Sequence, residues 1–174
     1  HTDVKLVDGE GRECQPGEPG EVLVRGKHIM REYWNRPDAT AEALIDGWLY
    51  TGDVAVTDED GFVYIQDRIK DMIISGGENI YPAEIESALQ AHLGISEAAV
   101  IGQPSARWGE SPFAIVVRTA PELTEAEVLK FASEHLARFK LPKAVVFAEE
   151  IPRNPSGKIL KRLLREQYPG PAAE

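Results

Sequence analysis

Three short segments of this 174-residue sequence carry residue types that could act on a phosphorylated ligand. The first contains Lys158, within the Pro/Gly-rich stretch 152–162. It is not a P-loop, because that motif needs Ser or Thr after the lysine and a glycine five residues before Gly157, where this sequence has Ile159 and Pro152. What remains is a lysine on a loop, which we expect at a helix N-terminus, where free N–H groups favour anions.

Basic residues are concentrated around this lysine. Between Arg138 and Arg165 there are eight basic and two acidic residues, whereas the whole chain carries a net charge of -10. Such a patch suits a polyphosphate ligand, and the alternative is a solvated basic helix face. The acidic balance of the chain argues against a nucleic-acid partner.

The second segment contains two adjacent glycines, Gly76 and Gly77. They follow a charged stretch, Asp67–Asp71, and an apolar run. Paired glycines let the backbone approach a ligand closely or take positive φ, and the charged stretch suits a solvated hinge. The alternative is an ordinary strand, turn and helix cap.

The third segment is Tyr50–Asp53. A carboxylate beside a glycine, here Asp53 after Gly52, can accept hydrogen bonds from both hydroxyls of a ribose. Taken alone, the segment predicts a common hairpin turn.

A single cysteine and four scattered histidines offer neither an internal disulfide nor zinc spacing, which favours a reducing, cytoplasmic location. No stretch is apolar enough for a transmembrane segment.

Two kinds of pattern position these segments. Up to residue 68, short β-type runs alternate with turn signals. We expect strands at residues 4–7, 21–26, 54–56 and 62–65, which pair in sequence order as two hairpins. Pro37 begins a short helix that runs to Leu44. The sequence therefore predicts a β-rich first part.

The rest of the chain mixes helices and strands. Pro82 begins a helix whose inward face is predicted to be Ile85, Ala88, Leu89 and His92. Thr124 and Glu127 have capping-box spacing for a helix with Val128, Leu129, Ala132 and Leu136 inward. Ser156 is expected to cap a last helix with Ile159, Leu160, Leu163 and Leu164 inward. Strands are predicted at residues 98–101, 113–117 and 144–147.

Several motifs, by their residues and by their order along the chain, together resemble the adenylate-forming superfamily of acyl-CoA synthetases, luciferases and peptide-synthetase adenylation domains. These motifs are Gly20–Val22, Gly47–Asp53, Asp67–Asp71, Gly76–Glu86 and Pro155–Lys158. The resemblance covers essentially the whole chain and implies the C-terminal third of such an enzyme. The implied fold is α+β: a β-rich end of the large N-terminal domain (1–68), a hinge (69–71) and a small C-terminal domain with a short sheet flanked by helices (72–174).

The resemblance also implies roles for individual residues. Lys158 would enter the active site during adenylation, and Lys70 would be the hinge residue. Asp53, with Thr51 beside it, would bind the ATP ribose, and Arg68 would contact the ribose or phosphates. The CoA site would comprise the pantetheine passage at Gly76, Gly77 and Glu78 and the nucleotide contacts of Trp108, Phe139, Lys140 and Lys143.

The resulting prediction is part of a carboxylic acid:CoA ligase that forms an acyl-adenylate from ATP and then an acyl-CoA, inactive as an isolated chain. Its partners would be ATP, CoA, a fatty or aryl acid and the N-terminal domain. Mg²⁺ would bind with ATP, mainly to the N-terminal domain. No metal site is predicted within the chain. One alternative is a CoA- or phosphopantetheine-binding module without catalysis, and another is an acyl-AMP ligase that hands the acyl group to a carrier protein.

Overall fold

The computed structural model describes residues 1–170, and its elements confirm the predicted α+β class. The chain divides after Lys70 into two units, each with its own sheet. This division falls inside the predicted hinge segment, which forms one turn of 3-10 helix, Ile69–Asp71. The Pro/Gly/Ala-rich tail at residues 168–174 lies partly outside the described residues. No helix within residues 1–170 is long and apolar enough to cross a membrane.

The first unit is a five-stranded antiparallel sheet with one short helix. Its elements are β1 (Asp3–Val7), β2 (Gly20–Arg25), α1 (Pro37–Ala43), β3 (Leu44–Ile45), β4 (Trp48–Thr57) and β5 (Val63–Arg68). The long strand β4 is central: β2 pairs with it, and so do β3 and β5, while β1 pairs with β2. Buried Leu6, Val22 and Ala55 form the core of this sheet.

Both predicted strand pairs are confirmed as antiparallel, β1 with β2 and β4 with β5. The turn between β4 and β5 has a local cause. One oxygen of Asp58 accepts hydrogen bonds from the backbone N–H groups of Asp60 and Phe62, which is how an Asp side chain stabilises a turn. The other oxygen accepts the Tyr64 hydroxyl at 2.8 Å, and this bond lowers the pKa of the Asp58 carboxyl.

The hairpin turn predicted at Tyr50–Asp53 is wrong, because this segment lies inside β4. Gly52 has φ +73 there. The register between β4 and β2 shifts across this segment, between Tyr50 and Val54, and the register between β4 and β5 shifts between Val54 and Ala55. Glycine therefore bends the strand through an irregularity in the ladder and does not end it.

The second unit is a five-stranded sheet with helices on both faces. Its elements are β6 (Ile73–Ser75), β7 (Glu78–Ile80), α2 (Pro82–Gln90), β8 (Ile95–Ser105), β9 (Gly109–Arg118), α3 (Glu125–His135), β10 (Ala144–Phe147) and α4 (Lys161–Gln167). The long hairpin β8–β9 is its centre, with β10 parallel to β9 and β6 joined to β9 at Gly109. All three predicted strands are confirmed.

Alternating residues of β8 contribute to two different core clusters. Ala98 and Val100 pack with the helices α2 and α3, while Ala99 and Ile101 pack with Leu164 of α4. Successive side chains of a strand point to opposite faces, so burial on both faces gives the continuous apolar run seen in this sequence.

Three of the four predicted helix starts are observed: Pro37 begins α1, and two of the three starts in the second unit are as predicted. Pro82 is in the first turn of α2, and both hydrogen bonds of the Thr124–Glu127 capping box are present at α3. The bonds from Thr124 lower the pKa of the Glu127 carboxyl. His92 is not part of α2, which ends at Gln90; the His92 ring accepts the Gly94 N–H in the following turn.

The cap predicted at Ser156 is wrong. The last helix, α4, begins at Lys161 with Leu160 at its N-cap and no side-chain cap. Ser156 instead donates its hydroxyl to Asn154, in a tight loop where Gly157 has φ +84. The loop conformation uses the Ser156 hydroxyl, so Lys158 lies before the helix and not at its N-terminus.

Candidate functional site

Asp53 and Arg68 face each other across β4 and β5. They are paired residues of the antiparallel ladder, and the Arg68 Nε lies 3.5 Å from an Asp53 oxygen. Both side chains remain more than a third exposed. An exposed ion pair of this length contributes little to stability, so the two groups are available to a polar ligand.

Backbone and side-chain bonds fix the segment that carries Asp53. The Thr51 hydroxyl donates to the Val22 carbonyl at 2.8 Å and accepts the Asp53 N–H at 3.1 Å. The Gly52 N–H donates to a Glu21 carboxylate oxygen at 2.9 Å. Thr51 is therefore a structural neighbour of Asp53 whose hydroxyl is already engaged.

An open cleft of about 570 Å³ lies beside this segment in the first unit. Thr51, Gly52 and Arg68–Lys70 line it, together with Glu21 and Tyr33. Sequence reasoning assigned no role to Glu21 or Tyr33, although Glu21 belongs to a motif that it singled out. Their position beside Thr51 depends on strand pairing and on a loop, which local patterns do not reveal.

Lys158 projects from a loop that is bonded internally and to β8. Asn154 accepts the N–H groups of Ser156 and Lys158, and Arg153 donates to the Gly157 carbonyl at 2.8 Å. Arg153 also pairs with Glu97 of β8 at 2.6 Å. The loop therefore holds an exposed Lys158 near the Glu97 end of β8.

Gly76 lies against Trp108 at the other end of the β8–β9 hairpin. The Gly76 N–H donates to the Trp108 carbonyl at 2.8 Å, and Ser75 pairs with Gly109. Gly76 and Gly77 have φ +61 and +89, as expected for glycines in a left-handed turn. With Glu78 they form an exposed rim beside the indole ring.

The two regions are therefore separated along β8. Glu97 anchors the Lys158 loop, and Ser105 begins the turn that carries Trp108. Eight residues of extended strand span about 26 Å. The second unit thus exposes an ammonium group at one end of its central hairpin and a glycine turn at the other.

The two lysines predicted to contact the CoA nucleotide, Lys140 and Lys143, differ in whether their ammonium groups are already paired. Lys140 Nζ lies 2.6–2.7 Å from both carboxylate oxygens of Glu84. Lys143 is exposed, and no ion pair within the described residues neutralises it. Phe139 and Trp108 are 44% and 42% exposed, so either ring could stack on a base. Lys143 is therefore the more available cation.

Most of the basic residues of segment 138–165 are neutralised by carboxylates. This corrects the interpretation of the whole segment as a surface for a polyphosphate ligand. Five of its eight cations pair with carboxylates: Lys140–Glu84, Arg153–Glu97, Lys161–Glu86, Arg162–Glu166 and Arg165–Asp71. All five acidic partners lie outside the 138–165 segment, and all but Glu166 lie on other elements, so the charge count of the segment did not include them. Within residues 1–170, Arg138, Lys143 and Lys158 have no ion pair.

The predicted hinge is only partly solvated. Lys70 is exposed, whereas Asp71 is 8% exposed and pairs with Arg165 at 3.0 Å. Within residues 1–170, no group of three or more His, Cys, Asp or Glu side chains could hold a metal ion.

Comparison with known proteins gives the family to which the chain is related. Residues 84–158 match the family model of the AMP-binding enzyme C-terminal domain. The long-chain-fatty-acid–CoA ligase FadD13 of Mycobacterium tuberculosis is 53% identical over 96% of this chain and 33% of its own length. The fatty acid–[acyl-carrier-protein] ligase ScoC of Streptomyces coeruleorubidus is 52% identical over 97% of this chain and 33% of its own length.

A solved structure gives the same result. ATP-bound MatB from Rhodopseudomonas palustris superposes with a TM-score of 0.90 at 41% identity, over 97% of this chain and 34% of that chain. The fold and these matches define the C-terminal portion of an AMP-binding enzyme. The chain belongs to the adenylate-forming superfamily. It spans about a third of the length of the relatives that it matches.

Proposed function

We propose that this chain is the C-terminal part of a carboxylic acid:CoA ligase, and we call the longer protein the parent. The observation that carries the proposal is the separation of Lys158 from the Gly76–Trp108 turn along the β8–β9 hairpin. Two chemical steps need two different surfaces, and the second unit has both. FadD13 and ScoC are both named for fatty acids, so a fatty acid is the preferred substrate.

In the first step a carboxylate oxygen attacks the α-phosphorus of ATP, and pyrophosphate leaves. Asp53 accepts hydrogen bonds from the ribose hydroxyls, and Arg68 contacts the ribose or phosphates. The Lys158 ammonium stabilises the negative charge that develops between the carboxylate and the α-phosphate. Mg²⁺ accompanies ATP and is held mainly by the N-terminal domain of the parent.

In the second step the CoA thiolate attacks the acyl carbonyl, and AMP leaves. Rotation about Lys70 replaces the Lys158 loop by the rim of Gly76, Gly77 and Glu78, which leaves a narrow path for the pantetheine arm. Trp108 or Phe139 stacks on the CoA adenine, and Lys143, with Lys140 in a lesser role, meets its phosphates.

The Lys158→Ala variant of the parent tests this division of labour. Loss of one charge contact of this kind slows adenylation about a hundredfold or more, measured as ATP–pyrophosphate exchange. Release of AMP from a supplied acyl-adenylate and CoA should change by less than threefold. Equal losses in both steps would contradict the proposal.

The isolated chain is expected to be inactive in ATP–pyrophosphate exchange, because most of the ATP and acid contacts lie in the parent's N-terminal domain. Enzyme-like turnover by the 174 residues would overturn this expectation. Titration with CoA is a separate measurement on the same sample. Micromolar, salt-sensitive binding without turnover by the parent would favour the non-catalytic binding module.

A second candidate differs only in the acyl acceptor. ScoC is named as a ligase for acyl-carrier protein, so a phosphopantetheine arm on a carrier protein is an alternative to free CoA. Competition between CoA and a loaded carrier protein in the parent decides between them: a kcat/KM at least tenfold higher for CoA supports the first candidate. A cytoplasmic location is part of the proposal, since both acceptors are used there.

A further inference from the structure

The helix α4 links the Lys158 loop to the segment that follows the predicted pivot, Lys70. Its first residue, Lys161, comes three residues after Lys158 in the chain. One turn later, Arg165 pairs with Asp71, the residue directly after Lys70. The chain therefore has a short structural path from the lysine loop to the predicted pivot.

Both cations of this path are held in partly buried ion pairs. Lys161 Nζ lies 2.8 Å from Glu86 of α2, and the two side chains are only 11% and 15% exposed. The same Glu86 oxygen accepts the Val100 N–H at 2.8 Å, at the edge of β8. This pair fixes the start of α4 to the helix that follows the glycine turn.

The second pair fixes the C-terminal half of α4. Arg165 donates to an Asp71 oxygen at 3.0 Å, and the Asp71 side chain is 11% exposed. Leu164, between the two turns, is buried in the core. Partly buried pairs are screened less than exposed ones, and removing one partner leaves a charge that is poorly solvated.

We propose that Lys161 and Arg165 are positioning residues that hold the Lys158 loop in a fixed place relative to the segment after Lys70. We call the Lys161–Glu86 and Arg165–Asp71 pairs the α4 anchor. A catalytic cation must be held to a fraction of an ångström to act on developing charge. The loop bonds around Asn154 shape the loop itself, and the α4 anchor fixes the helix into which it leads.

This inference rests on the proposed function for its kinetic consequence, but its structural part is tested without activity. The amides of Gly157, Lys158 and Leu160 all donate hydrogen bonds inside the loop or to Pro152. Their hydrogen exchange therefore reports opening of the loop. Exchange at Ile115 and Val116, in the buried strand β9, reports the stability of the unit as a whole.

The main variant is Asp71→Asn with Arg165→Met, which removes the pair without leaving a lone charge. The matched control is Arg162→Met, which removes the Arg162–Glu166 ion pair of the same helix. The Arg162 side chain is 77% exposed. In the 174-residue chain we expect loop exchange to rise at least tenfold in the main variant and less than twofold in the control. The core amides should change less than twofold in both. Unchanged loop exchange, or an equal rise in the core, overturns the proposal.

The kinetic arm uses the parent. The main variant should lower kcat for adenylation about tenfold with the KM for ATP within twofold, because Lys158 acts on charge that forms only in the transition state. In a Lys158→Ala background the same change should cost nothing further. A full additional tenfold loss there, or an equal loss in thioester formation, overturns it.

Failure of the two proposals is distinguishable. If the unaltered parent shows no adenylation with any acid, the proposed function fails, and hydrogen exchange still decides whether the α4 anchor holds the loop. If the parent is active and exchange is unaffected, only the α4 anchor fails.

Discussion

The Trp108 ring occupies the space that a side chain on Gly76 would need. A Cβ added to Gly76 would lie 2.8 Å from Trp108 Cε3, while a Cβ on Gly77 would meet nothing within 4 Å. Both glycines have positive φ, so alanine at either position carries the same kind of backbone strain, about 1–2 kcal/mol. Only Gly76 adds a direct collision with the indole.

We therefore expect Gly76→Ala to lower the free energy of unfolding of the chain more than Gly77→Ala, measured by urea denaturation. The Gly76→Ala/Trp108→Ala double variant should remove most of the difference, because it removes the ring that collides. A Gly77→Ala variant that is as destabilised as Gly76→Ala would contradict the contact as the cause.

Lys140 and Lys143 should differ in their effect on CoA. The Lys140 ammonium is bonded to both oxygens of Glu84, so releasing it to a phosphate costs an existing ion pair. Lys143→Ala should raise the KM for CoA in the parent about tenfold, the scale of one charge-assisted hydrogen bond. It should also weaken the dependence of that KM on salt. A larger effect from Lys140→Ala would reverse this assignment.

Asp53→Asn tests the ribose contact. The substitution keeps the size of the side chain but removes the charge that faces Arg68 and one acceptor oxygen. We expect the KM for ATP in the parent to rise about tenfold. The preference for ATP over 2′-deoxy-ATP should fall as well. Asp60→Asn, in an exposed turn of the same unit, is the control and should leave both quantities unchanged; if Asp53→Asn also does so, the contact is refuted.

The capping box of α3 links stability to pH. Thr124→Ala removes the hydroxyl that bonds to Glu127 and should cost about 1 kcal/mol of unfolding free energy at neutral pH, as helix N-caps do. Because the pKa of Glu127 is lowered in the folded chain, the unfolded chain binds its proton more tightly, and this stabilisation is lost as pH falls through the folded value.

Urea unfolding of the wild type and Thr124→Ala at a series of pH values checks this. The gap between them should be complete above the usual glutamate pKa and should narrow as the pH falls below it. A gap that widens on acidification would show that the carboxylate is not the partner that matters.

Local patterns predicted most of the elements because their causes are local. Pro82 and the Thr124–Glu127 box stabilise helix starts through atoms within one turn, and alternation of apolar residues marks strands such as β9. Two local predictions failed, the helix cap at Ser156 and the hairpin turn at Gly52. Ser156 instead bonds to Asn154 within a loop, and Gly52 lies at an irregularity inside a strand.

By itself, the sequence determined the α+β class, the order of the elements and the motif residues, since short-range sterics, capping and periodicity specify these. Tertiary structure alone decided which cations remain free. Lys140, Arg153 and Arg165 meet carboxylates 56 to 94 positions away, and such pairs form only when the sheet brings distant segments together. For the same reason, only the folded β8–β9 hairpin separates Lys158 from the glycine turn.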